Sequence, residues 1–167
     1  LIGKERHDIG RPGDVGYPIR GIVKNQLLFL VNYETSRWPA GDPVTGYLNC
    51  DGSPTKTEVL KTRDTPANRF WQHCFGKRPA EELYRIADDP DQVNNLADDP
   101  EFKEVRERLA AMLDNHLTVT GDPRMRGEEP WQDYIYHQYS GFGRSFNEIL
   151  PPDERRRARL RPGTPIK

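Results

Sequence analysis

Glu82-Leu83-Tyr84-Arg85-Ile86 runs into Asp88-Asp89-Pro90, and Asp98-Asp99-Pro100 then opens Glu101-Phe102-Lys103-Glu104-Val105-Arg106-Glu107-Arg108-Leu109. The first five residues read as a β-strand. Each Asp-Pro step reads as a helix start. The carboxylate can accept from the unpaired amides of a first turn, and proline has no amide to leave unpaired there. After the second step Phe102, Val105, Leu109, Met112, Leu113 and His116 recur at helical spacing, while Lys103, Glu104, Arg106, Glu107 and Arg108 fill the other face. That spacing predicts an amphipathic helix over 100–117, packed across a sheet.

Working outward, two further strands precede this stretch. Residues 17–24 alternate in part, with Tyr17 and Ile19 facing inward, and residues 27–33 are almost wholly apolar, as a central strand covered on both faces would be. The link Lys24-Asn25-Gln26 is short enough for a hairpin turn. Residues 34–55 carry Pro39, Gly41, Asp42, Pro43, Gly46, Gly52 and Pro54, so they form a long loop. Loops of this length are usually functional or pinned to another surface. Ser53 or Thr55 is placed to cap a helix running to about Arg63, and a second short helical stretch covers 68–75. The opening Leu1-Ile2-Gly3-Lys4 reads as the middle of a strand rather than a natural start, so a fragment or a processed product is expected.

Composition narrows the function classes. Of 167 residues 34% are hydrophobic and 31% charged, with 14 glycines and 15 prolines, which leaves a thin core and many turns. Charge is balanced, 25 basic against 26 acidic residues for a net of -1, so neither nucleic acid nor an anionic membrane is favoured as a partner. The longest apolar run, Leu27-Leu28-Phe29-Leu30-Val31, is far short of the ~18 residues of a membrane span. Cys50 and Cys74 can form one bridge or stay as two thiols, and they lack zinc spacing.

The run from Glu82-Leu83-Tyr84 through Asp89-Pro90 to Asn95-Leu96-Ala97 resembles the C-terminal signature of sulfatases, in which a strand reading Glu-Leu-Tyr-Asp precedes Asp-Pro, Asn-Leu-Ala and a long amphipathic helix. Arg85 stands where Asp is more usual. Glu5-Arg6-His7-Asp8, Tyr17-Pro18-Ile19-Arg20, the strand ending Leu30-Val31-Asn32-Tyr33 and the loop Trp38-Pro39-Ala40-Gly41-Asp42-Pro43 resemble the matching run of heparan N-sulfatases and their bacterial relatives. The likeness reaches to about Pro123. It implies an α+β fold, a small antiparallel sheet of about four strands with the long helix packed on it, as the C-terminal subdomain of an alkaline phosphatase-like α/β enzyme. It divides the chain into a subdomain over 1–123 and an aromatic-rich wrapping tail over 124–167. The tail ends in the basic run Arg155-Arg156-Arg157-Ala158-Arg159, read as a solvated terminus.

The same resemblance implies hydrolysis of a sulfate ester or N-sulfate on a sugar such as a glycosaminoglycan. It also implies a periplasmic or secreted location, and Ca²⁺ with a formylglycine nucleophile in an N-terminal sulfatase domain that would be this chain's partner. No metal or cofactor is expected in the chain itself. Candidate substrate-binding residues are Glu5, Arg6, His7, Asp8 and Arg11: arginine suits sulfate or carboxylate through charge-assisted, bidentate contacts. Read by residue type alone, the same cluster is a solvated charged loop after a strand. No catalytic residue is expected here. Neither Cys50, followed by Asp51-Gly52-Ser53-Pro54, nor Cys74 has the Cys/Ser-x-Pro-x-Arg spacing from which formylglycine is made. Asp88-Asp89 and Asp98-Asp99 are assigned to capping, and the four histidines lie far apart. Two alternatives stay open. One is a non-catalytic carbohydrate-binding or interaction module using Trp131, Tyr134, Tyr136 and Tyr139; the other is the C-terminal part of a related phosphatase or phosphotransferase. Apolar surface left for the large domain would also favour self-association.

Overall fold

The hairpin 19–32 sets the architecture. In the computed structural model, which describes residues 1–7 and 10–130, β2 (Ile19–Lys24) and β3 (Leu27–Asn32) pair antiparallel from Ile19↔Asn32 to Lys24↔Leu27. The two linking residues, Asn25 and Gln26, have φ of 51° and 62°. Positive φ at both central positions is the left-handed turn whose twist matches that of the strands it joins. β1 (Ile2–Lys4) adds to β2, and β4 (Glu81–Arg85) adds to β3, giving one antiparallel sheet in the order β1-β2-β3-β4. β3 is a central strand, as its apolar run predicts. Gly21 is required where it stands, because a Cβ there would lie 2.5 Å from Leu30 Cδ2 and 2.8 Å from the Phe29 carbonyl.

The long helix is present. A 3₁₀ turn, Pro100–Phe102, leads into α3, Lys103–Val119, and the Asp99 carboxylate accepts from the Glu101 amide at 2.9 Å. Its buried stripe is Leu109, Leu113 and Leu117, packed with Phe29, Leu83 and Ala97. The chain is thus α+β, with a four-stranded antiparallel sheet and an amphipathic helix on one face. Two expectations are corrected. His116 is exposed, and Leu117 takes the inward place. The reason is that the stripe advances in steps of four, which carries the residue at i+3 from Leu113 out to solvent. No helix follows Pro90. Asp89 instead accepts from the Val93 and Asn94 amides at 3.1 and 2.9 Å, closing a loop in which Gln92 takes φ 54°.

The chain divides into two compact units. The first is Leu1–Glu5, Tyr17–Thr35 and 78–130, which holds the sheet and α3. The second, over 6–7, 10–16 and 36–77, holds α1 (Pro54–Lys61) and α2 (Arg69–Phe75). Ser53 caps α1, accepting from the Lys56 amide at 3.1 Å. Tyr47, Trp71 and Phe75 form this unit's core, with the Tyr47 and Phe75 rings stacked at 4.6 Å. Arg63 lies over Trp71 and Lys77 over Trp38, so cations occupy ring faces of this cluster. Cys50 and Cys74 are free thiols. Trp131, Tyr134, Tyr136, Tyr139 and the arginine run lie outside the described residues, as does Asp8.

Leu113 is fully buried. Leu113→Ala is expected to cost about 2–5 kcal/mol in urea unfolding, and His116→Ala to stay within about 0.5 kcal/mol of the parent.

Candidate functional site

The charged segment after β1 is where the sequence places recognition residues. Its members have separate fates. Glu5, mostly buried, lies in the first unit, where β1 ends, and its carboxylate bridges two guanidinium groups. Arg20 Nη2 donates to Oε1 at 2.6 Å, and Arg124 Nη2 donates to Oε2 at 2.6 Å. Arg20 also donates from Nε to Asp122 Oδ2 at 2.7 Å and from Nη2 to Oδ1 at 3.2 Å. Arg124 Nη1 lies 3.5 Å from Glu129. The side chains of Glu5, Arg20, Asp122 and Arg124 are 9–15% exposed.

The result is an alternating chain of charge, Asp122–Arg20–Glu5–Arg124–Glu129, fed by elements that the fold brings together. Arg20 projects from the helix-facing side of β2, the side it shares with Ile22. Asp122 follows the end of α3 and caps the 3₁₀ turn Pro123–Arg126 through the Arg124 amide. Burial alone would raise the Asp122 carboxyl. The Arg20 hydrogen bond, the Arg124 amide and both positive charges outweigh it and hold Asp122 below its ordinary 3.8. For Arg124, the Glu5 hydrogen bond outweighs burial and raises the guanidinium. Such a chain makes a rigid electrostatic staple, and Glu5 has both oxygens committed to it.

Arg6, His7 and Arg11 belong to the second unit. Arg6 is half-buried and His7 exposed. Arg11 is only 2% exposed. Its Nε and Nη2 donate to the Trp38 and Pro39 carbonyls, each at 2.7 Å, and Nη1 to the Val15 carbonyl at 3.4 Å. With its oxygen turned toward the guanidinium, the Asn49 carboxamide accepts from Nη1 and Nη2 at 3.1 and 2.9 Å. Arg11 therefore organises the long loop after β3 from within, its planar guanidinium donating to the Trp38, Pro39 and Val15 carbonyls.

A second polar cluster leaves little trace in the sequence. On the sheet face away from α3, the Tyr84 hydroxyl donates to Glu82 Oε2, and Asn32 Nδ2 donates to Glu82 Oε1 at 2.7 Å and to the Pro79 carbonyl at 2.8 Å. All three residues are buried. Burial, the Glu82 hydrogen bond and the Glu82 charge push the Tyr84 phenol upward, so it stays a donor. The available signal was Glu82 and Tyr84 at i, i+2, which puts both on one side of a strand.

The two Asp pairs serve the backbone and the surface. Asp89 and Asp99 accept amides, and Asp88 pairs with Arg85 at 2.9 Å. Among the described residues no three His, Cys, Asp or Glu side chains gather to hold a metal ion. No helix among the described residues is long and apolar enough to cross a membrane. No family model and no curated protein matches the chain.

Glu5→Gln leaves two nearly buried guanidinium groups short of a carboxylate, and is expected to cost about 3 kcal/mol in urea unfolding. Asp122 sits below its unfolded value, so its contribution is present above pH 3.8 and is lost as pH falls through the folded value. The stability gap between the parent and Asp122→Asn should be flat from about pH 5 to pH 7 and close below 3.8; urea melts across that range check it.

Proposed function

We propose that this chain is the C-terminal part of a sulfatase of the heparan N-sulfatase kind, completing the fold of an enzyme that hydrolyses a sulfate ester or N-sulfate on a sugar. The observation that carries the proposal is the segment Glu82–Ala97. Several marked residues of the signature have a specific structural use. Tyr84 bonds Glu82, Asp89 closes the loop after β4, and the Asn95 side chain accepts from the Leu83 and Ala97 amides at 2.8 and 3.0 Å. A motif spent in this way marks a fold and needs no part in the chemistry, which agrees with a chain lacking the Cys/Ser-x-Pro-x-Arg nucleophile sequence.

In this reading the N-terminal sulfatase domain of the same protein is the partner, and it supplies nucleophile and calcium. Arg6, His7 and Asp8 contribute to the substrate-pocket rim. Glu5 and Arg11 are engaged within the chain, Glu5 by Arg20 and Arg124, Arg11 by the loop carbonyls.

The purified 167-residue chain is expected to give no turnover of 4-nitrophenyl sulfate or of N-sulfoglucosamine, and measurable turnover by it alone would sink the proposal. The coding sequence upstream of Leu1 is expected to contain Cys/Ser-x-Pro-x-Arg. A lone Thr or Ser nucleophile there would move the parent to the phosphoryl-transfer branch, and neither sequence would leave a non-catalytic module.

A further inference from the structure

Where the β2–β3 turn meets α3, the first unit carries an open groove of about 320 Å³. Leu27, Val105, Leu109 and Met112 provide apolar lining, and Lys24 and Arg108 add two cations. Most arginines of this unit are ion-paired. Arg20, Arg85, Arg106, Arg124 and Arg126 each hold a carboxylate. Among the described residues, Lys24 Nζ donates only to the Met112 thioether, at 3.7 Å, and a thioether is a weak acceptor. Arg108 makes no hydrogen bond or ion pair with any described residue, although Glu101, Glu104 and Glu107 lie nearby in sequence.

We propose that this groove binds an anionic amphiphile: a single carboxylate or sulfate head between Lys24 and Arg108, with a short aliphatic chain laid over Leu27, Val105, Leu109 and Met112. The volume sits at the small end of the ~300–1,000 Å³ of ligand sites, which suits one chain rather than a bilayer or a folded partner. A chain laid in the groove would cover its exposed apolar lining, and the head would meet two cations that hold no carboxylate among the described residues. The proposal is independent of the sulfatase reading.

The test uses the full chain labelled at its methionine methyls. The protein has two methionines; Met112 lines the groove, and Met125, 38% exposed in the Pro123–Arg126 turn, is the control. Decanoate, added below its micelle concentration, is expected to shift the Met112 signal saturably and leave Met125 in place. Dodecyl sulfate at submicellar concentration should do the same, and decanol should bind less well. Lys24→Gln and Arg108→Gln are each expected to weaken decanoate about two- to fivefold, the scale of an exposed ion pair. Both side chains are exposed, so folding should be unaffected. An unmoved Met112, equal shifts at both methionines, decanol matching decanoate, or unchanged affinity in both variants would overturn the proposal.

Discussion

The Asn95 carboxamide oxygen accepts two backbone amides at once, that of Leu83 and that of Ala97. The Leu96 amide donates to the Leu83 carbonyl at 2.8 Å. Together these bonds satisfy both main-chain groups of Leu83 on the outer edge of β4, where the sheet would otherwise present an unpaired donor and acceptor. With its polar groups turned outward, Leu83 stands opposite Phe29 as a non-hydrogen-bonded pair, the kind that brings side chains closest. That pair is the floor on which Leu109, Leu113 and Leu117 rest. The same loop buries Ala97 and delivers the chain to Asp99, where the 3₁₀ turn leads into α3; Arg106 reaches back from the helix to the Ala97 carbonyl at 2.8 Å. One side chain therefore closes the sheet edge, sets the register of the core and aims the helix.

Much of this was legible in the sequence, and for identifiable reasons. Strands and α3 advertise themselves through period, because burial on one face repeats every second residue or every 3.6. The turn at Asn25-Gln26 was legible from its brevity. The two Asp-Pro steps carry the same local signal, and the residues downstream of each decide the outcome. After Pro100 come strong helix formers with an apolar stripe; after Pro90 come Asp91, Gln92, Val93, Asn94 and Asn95, with no stripe to bury and side chains that bond the nearby backbone instead. Helix starts are thus licensed by the cap but decided by the face behind it.

The candidate site was far less legible. Charge clustered after a strand is visible in Glu5-Arg6-His7, but whether such charge is solvated or spent depends on partners remote in sequence. Glu5 finds Arg124 across 119 positions, and Arg20 finds Asp122 across 102. Arg11 is satisfied by carbonyls, which leave no trace in side-chain patterns at all. Local sequence reports the presence of charge, and tertiary structure reports its use.

The Glu5–Arg124 contact also constrains the order in which the molecule can be made. During synthesis β2 and β3 leave the ribosome within a few residues of each other and can pair at once. Glu5 and Arg20 must wait until residues 122–124 emerge, after the whole of α3. At about 5–20 residues per second that is a delay of several seconds, during which Glu5 and Arg20 stand on a nascent chain without Asp122 and Arg124. The ion-pair network at the end of β1 is thus among the last contacts to form, and a chain halted before Asp122 would carry a hairpin and a helix without the staple that joins their ends.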